Sequence, residues 1–431
     1  MIRTGRLGAS TAGLGGVAGG AAWVLGAYIA AIGLRAVLQL LLARWLGAEA
    51  LGAYVSAVTL GGLLGTVATG GIGAAALRFV PLYRGTEDAR RLGAFEAFAG
   101  RAPLLIGVPL GLATGLVMWV LGPRWLPEAP PLLAVLVPMV AVLTVQSELA
   151  RAFGRMALAY LPQQALPAAG TLLACAALEA TGRLDASTAL GAYAASLLVA
   201  VLARRRRLEA ATPAGNELEA GTPRREWLRV SMPLLAASVL AMVLAQGDVL
   251  LVAASLGGES TGVYAAAVRV AYLAGLPLLA VSAAAVPALA SDVARGDLTS
   301  MEARFRRSAR LAAALTLLAT VVGWVAGPWV LGVVGADFEA GATALRIVLL
   351  GQLAQSMLGP VEQLLGATGY HDAAVAAGTA SVLAFVAMTA GFALAWGIEG
   401  AAVGAALGQL LWRGALAALM SKRLGVRAGA W

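Results

Sequence analysis

Twelve apolar stretches, separated by clusters of charge, run the length of the chain: 20–43, 52–80, 102–121, 131–153, 163–180, 186–203, 230–254, 262–290, 308–329, 341–365, 373–396 and 400–421. Most approach or exceed the ~20 residues that a helix needs to cross a bilayer. Strict apolar/polar alternation is absent, so a barrel is excluded, and open sheets cannot cross lipid. The pattern therefore predicts an all-α polytopic membrane protein of about twelve transmembrane helices. Arg3 and Arg6 precede an apolar run too long for the core of a cleavable signal, so the first helix is expected to act as its own insertion signal. One long polar stretch, 204–229, opens with four arginines and holds two prolines and two glycines. It reads as a solvated linker between a first lobe, 1–203, and a second, 230–431, of six helices each.

An internal repeat supports that division. LGAEALGAYVSAV at 46–58 aligns with LGGESTGVYAAAV at 256–268, with seven identities in thirteen positions. Gly122-Pro123 and Gly327-Pro328 match at a similar offset, as do 169–171 and 377–379. Equivalent residues are six helices apart, so both copies enter the membrane from the same side. Parallel repeats related by an axis along the membrane normal are one of the standard transporter plans.

Composition agrees with a bilayer environment and removes several chemistries. The chain is 60% hydrophobic and 12% charged, against about a quarter charged residues in soluble domains. Single residues of cysteine (Cys175) and histidine (His371) leave no disulfide framework, zinc site or haem ligation to expect, and no cofactor is predicted. The formal net charge is +9, carried by 30 arginines and Lys422. Of these 31 basic residues, 23 fall at the amino end, the even-numbered connections and the tail, and only Arg44, Arg124 and Arg183 fall on the other side. The bias predicts both termini in the cytoplasm. Trp45, Trp119, Trp125, Trp324, Trp329 and Trp396 cluster near the opposite, outer ends, as an interfacial belt would. The positive charge is thus topology and implies no nucleic-acid partner.

With Arg151 and Arg310, at the inner ends of their stretches, counted with the adjacent connections, five basic residues remain inside apolar stretches: Arg35, Arg78, Arg269, Arg346 and Arg413. A charge near the bilayer centre costs several kcal/mol, which makes it a functional candidate. Arg35 stands nine residues before Arg44, roughly 13 Å below the outer end at ~1.5 Å per residue. Arg413 is similarly deep. Neither has an acidic residue at equal depth in the sequence pattern, so both are assigned to a substrate cavity. Arg78 and Arg346 lie close enough to helix ends either to snorkel or to line that cavity. Asp248 and Arg269 match in depth on consecutive helices and form either a structural pair or a site. Glu148, Arg151, Arg155 and Glu362 read as interfacial charges. A cavity with this excess of arginine attracts anions, and guanidinium forks suit phosphate oxygens.

The segments ARWLGAEALGAY (43–54), GIGAAALRFVP (71–81) and DVLLVAASLGGESTGVYAAAVRVAYL (248–273) resemble the polysaccharide (oligosaccharide) flippases of the multidrug/oligosaccharidyl-lipid/polysaccharide exporter superfamily. The resemblance runs over essentially the whole chain. It implies two six-helix lobes around a central cavity, alternating access, and transport of a lipid-linked oligosaccharide across the cytoplasmic membrane for surface polysaccharide biosynthesis. A polyprenyl diphosphate is the anion it supplies. The implied partners are that substrate, membrane lipids, a coupling proton or sodium ion, and neighbouring glycosyltransferases and a polymerase. On this reading the chain is no enzyme, and Arg35→Ala and Arg413→Ala are expected to abolish transport. Two alternatives stay open: a cation-coupled multidrug antiporter of the same superfamily, for which Asp248 is the candidate acid, and a membrane polysaccharide polymerase. The latter needs positioned carboxylates, and the short outer connections carry no such cluster. A lipid II flippase typically has two further helices.

Overall fold

A computed structural model describes residues 11–122, 130–209, 223–368, 371–425 and 429–430. Half of the predicted linker, 210–222, and Trp125 lie outside these residues. Every element among them is helical. Below, the face rich in basic connections is the inner face and its opposite the outer face.

In the first lobe, α1 (Thr11–Ala68) makes the first crossing and half of the second, broken between them at Gly47 (φ 75°, ψ 177°). The second crossing pauses at a turn, 69–71, and resumes as α2 (Ile72–Gly85). Four helices follow: α3 (Ala89–Leu121), α4 (Pro130–Ala152), α5 (Met156–Ala180) and α6 (Ala186–Glu209). The second lobe starts with α7 (Arg224–Leu256) and α8 (Gly258–Tyr272). A 3-10 turn (Leu273–Gly275) leads into α9 (Leu276–Ala294). Then come α10 (Leu298–Val334), α11 (Ala342–Met357), α12 (Val361–Thr368) and α13 (His371–Leu424). The last makes two crossings around a break at Trp396 and Gly397. Pairing these pieces recovers the twelve crossings. Crossings two, eight and ten, expected as single helices, are each interrupted.

The repeat is a repeat of backbone conformation. Gly257 ends α7 with φ 89° and ψ −178°, and Gly47, its equivalent, has nearly the same dihedrals. Positive φ is cheap only without a Cβ, so glycine at both positions turns the chain back into the membrane. The inner connections match as well. Asp88 accepts from the Arg91 N–H at 2.9 Å and caps α3, while Asp297 accepts from the Ser300 N–H at 3.0 Å and caps α10. At 33 and 37 residues, α3 and α10 extend about 50 and 55 Å, well beyond a hydrocarbon core of about 30 Å. Their surplus lies beyond the apolar stretches on the inner side.

The cores show which face is closed. One large cluster of buried side chains is shared by both lobes and includes Leu42, Leu51 and Tyr54 of the first and Val252, Tyr264 and Ala267 of the second. Toward the inner face the cores separate. One lies around Phe79, Phe95 and Trp227, the other around Phe305, Leu364 and Leu416. The lobes are therefore sealed outside, while on the inner side α7 of the second lobe, through Trp227, joins the core of the first.

Candidate functional site

Below the shared outer core lies a cavity of about 320 Å³, lined by α1, α4, α5, α6, α7 and α8. Two arginines enter it from opposite lobes, Arg35 on α1 and Arg269 on α8. Arg35 donates to Gln164 Oε1 on α5 at 2.8 Å. Arg269 donates through Nε to Gln39 Oε1 on α1, and Gln39 in turn donates to the Ala265 carbonyl at 3.2 Å. Gln163 and Gln246 add further amides, and Thr59, Thr66 and Thr144 add hydroxyls. No carboxylate is among the lining residues. Both guanidiniums keep donors beyond the bonds just named, because each carries five N–H groups. A site with two uncompensated cations and neutral donors and acceptors suits an anionic group attached to a polyhydroxyl one.

Asp248 and Arg269, which the sequence left as a pair or a site, do not bond to each other. The Asp248 carboxylate is buried in the second lobe and accepts from the Tyr264 hydroxyl at 2.9 Å and the Tyr272 hydroxyl at 3.4 Å. Its other oxygen, Oδ1, has no hydrogen-bond partner.

Arg413 sits elsewhere than beside Arg35. It lines a second pocket, of about 260 Å³, within the second lobe. There it donates to Gln355 Oε1 at 2.9 Å and stands 3.7 Å from Glu362. Gln355 donates to Gln409 at 2.7 Å, and Gln409 reaches the Tyr272 hydroxyl at 3.3 Å. Glu362, which the sequence pattern placed at an interface, is thus the acid that Arg413 meets. The break after α11 brings it there, with Gly359 (φ 76°) at the turn.

The remaining two arginines stand apart from both pockets. Arg78 is exposed on α2. Arg346 lies over the Trp324 ring, 5.3 Å from its centroid, near the outer end, a cation–π contact that lets a charge rest in an interfacial belt. Neither lines either pocket.

Sequence reasoning passed over the glutamines. Gln39, Gln163, Gln164 and Gln246 are polar residues in apolar stretches, a signal weaker than charge but of the same kind. It also missed Arg204, counted with the basic linker. Arg204 is fully buried and donates to the Leu143 carbonyl at 2.8 Å, the Ala159 carbonyl at 2.9 Å and Ser147 Oγ. It ties α6 to α4 and α5.

Comparison with known proteins agrees with this architecture. The family described as Polysaccharide biosynthesis protein matches residues 17–291, and MatE matches 233–390. No curated protein matches the chain by sequence. Among solved structures, an inward-facing multidrug resistance MATE family transporter of the MOP superfamily is similar with a TM-score of 0.75 at 15% identity, covering 91% of this chain and 94% of that one. An outward-facing MATE family structure gives 0.65 at 16% identity, covering 94% and 95%. The lipid II flippase MurJ in an inward closed conformation gives 0.72 at 14% identity, covering 92% and 86%. The chain belongs to the polysaccharide biosynthesis protein family and is a membrane-integral protein with the two-lobed fold of the MOP superfamily transporters.

Proposed function

We propose that this protein is a flippase that carries a lipid-linked oligosaccharide from the cytoplasmic to the outer leaflet of a bacterial inner membrane. Both termini are cytoplasmic on this reading, and the oligosaccharide hangs from a polyprenyl diphosphate. The observation that carries it is the central cavity, with Arg35 and Arg269 uncompensated by any carboxylate among its lining residues. In a cleft with largely apolar walls these charges focus their field on an anion. Planar guanidinium groups match phosphate oxygens in pairs, and the glutamine amides and threonine hydroxyls offer both donors and acceptors to sugar hydroxyls.

The lobe interface suggests how a lipid tail stays in the bilayer while its head group is inside. On one side α7 is hooked to α2, where Trp227 Nε1 donates to the Tyr83 hydroxyl at 2.9 Å and packs edge-on against Phe95. On the other side α9 hardly packs against α1 among the described residues. That looser seam suits lateral passage of a polyprenyl chain. Surface-polysaccharide assembly then requires glycosyltransferases to load the substrate on the inner face and a polymerase or ligase to consume it outside.

Binding in lipid nanodiscs tests the reading. A polyprenyl diphosphate oligosaccharide is expected to bind, and Arg35→Gln to weaken it by at least tenfold. Equal binding of the uncharged polyprenol would contradict the assignment.

A second reading, a cation-coupled antiporter, is favoured by one feature: the unpartnered Oδ1 of Asp248. Such transporters need a carboxylate that exchanges a cation. Drug efflux abolished by Asp248→Asn would support it against the flippase, although two arginines in the central cavity repel cationic drugs. The Pyrococcus furiosus MOP superfamily transporter, described as having a binding pocket of reverse polarity that suggests a different function, shows that this fold hosts pockets of either sign.

A further inference from the structure

The outer ends of α1 and α8 approach more closely than side chains would allow. A Cβ placed on Gly52 would stand 1.9 Å from the Gly258 carbonyl oxygen, and one on Gly262 would stand 1.8 Å from the Ala48 carbonyl oxygen. These two contacts are images of each other, because Gly52 and Gly262, and Ala48 and Gly258, are equivalent positions of the repeat. Both helices run from the outer toward the inner face, so they cross as a parallel pair about the axis that relates the lobes. Each carries a small residue at every fourth position: Ala48, Gly52 and Ser56 on one, Gly258, Gly262 and Ala266 on the other. This spacing lets parallel membrane helices meet backbone to backbone.

Two polar contacts bracket the crossing. Arg44 donates to the Val333 carbonyl at 2.7 Å, across the lobes at the outer end, and Gln39 donates to the Ala265 carbonyl on the cavity side. The atoms that an added carbon would strike are backbone carbonyls just beyond Gly47 and Gly257, so no rotamer change can move them aside. Separation would have to grow from 1.8 or 1.9 Å to beyond 3.0 Å. Each helix is also packed into its own lobe, α1 on α4 and α5 and α8 on α11, so the lobes themselves must part on the outer side.

We propose that Gly52 and Gly262 set the conformational equilibrium of this protein. The outer seal exists only because both lack a side chain, and a single methyl group at either position shifts the molecule toward a state open on the outer face. The proposal holds whatever the transported molecule is.

Spin labels at Glu49→Cys and Glu259→Cys, both exposed and equivalent across the axis, report the seal in the full chain with Cys175→Ala, reconstituted in nanodiscs. The parent is expected to show a short distance between labels. Gly52→Ala and Gly262→Ala are each expected to reduce that short-distance population at least tenfold. Alanine favours helix over glycine, so neither change weakens its own helix. Gly391→Ala, at a helical glycine with nothing within 4 Å of an added carbon, is expected to leave the distribution unchanged. A parent-like short distance in either seam variant would overturn the proposal, as would an equal shift in Gly391→Ala. Loss of folded protein in either seam variant would also overturn it, because the open state has room for the methyl group.

Discussion

Replacing Arg204 by methionine tests whether a charge buried in the first lobe is structural. Arg204 is fully buried, and its hydrogen bonds go to two helix carbonyls, Leu143 and Ala159, and to Ser147 Oγ. Bonds from a charged donor contribute about 1.5–3 kcal/mol each, so three of them amount to roughly 4–9 kcal/mol. Against this stands the cost of burying the guanidinium, several kcal/mol, which methionine removes. The balance leaves a net loss of about 3 kcal/mol, equivalent to roughly a hundredfold shift in a local opening equilibrium at ~1.4 kcal/mol per tenfold. All three acceptors lie on α4 or α5, so the loss should be local. Hydrogen–deuterium exchange is expected to accelerate by about that factor in α4, α5 and α6 and to stay unchanged in α10. Unchanged exchange in the first lobe, or an equal rise in both lobes, would refute the reasoning.

Other consequences follow from the two pockets and the caps. Arg35→Ala should abolish transport, while Arg413→Ala, whose arginine lies in the second pocket beside Glu362, should retain a measurable fraction; equal loss in a vesicle transport assay would place both in one site. Asp248→Asn keeps an oxygen to accept the Tyr264 and Tyr272 hydroxyls, so thermal inactivation should be unchanged; faster inactivation would make the negative charge itself structural. Asp185, outside the membrane, accepts from the Thr188 N–H at 2.7 Å at the start of α6, and this bond, with that of the Ser187 hydroxyl, holds its carboxyl below the usual range. Its capping contribution of about 1 kcal/mol is present at neutral pH and disappears as pH falls through the depressed value. Asp185→Ala should therefore speed exchange at the start of α6 at pH 7 and make little difference at pH 2, and a pH-independent effect would argue against the charged cap.

The twelve crossings were legible because bilayer thickness imposes a length on apolar stretches, and charge clusters mark where each one ends. The relation between lobes was legible through LGAEALGAY and LGGESTGVY, whose glycines serve one backbone geometry twice. Other features depend on tertiary contacts that no stretch of sequence encodes locally. Arg204 sits in a run of four arginines that reads as a solvated linker, yet its side chain turns back into the lobe. Arg413 and Glu362 are far apart along the chain, and only the break after α11 brings the acid into the second pocket. Depth along a helix is a sequence property and singled out Arg35 and Arg269, which line one cavity. The direction each side chain takes around its helix depends on neighbours, so Arg78 and Arg346 passed the depth criterion but line neither pocket.

Transport in proteoliposomes tests the account most directly. A fluorescent polyprenyl diphosphate oligosaccharide would be supplied in both leaflets, and label in the outer leaflet quenched by an impermeant reductant. Vesicles containing the protein should lose nearly all fluorescence as substrate reaches the outer leaflet, protein-free vesicles about half, and vesicles with the Arg35→Gln, Arg269→Gln double variant about half as well. Wild-type vesicles that behave like protein-free ones, or a double variant as active as wild type, would contradict the account.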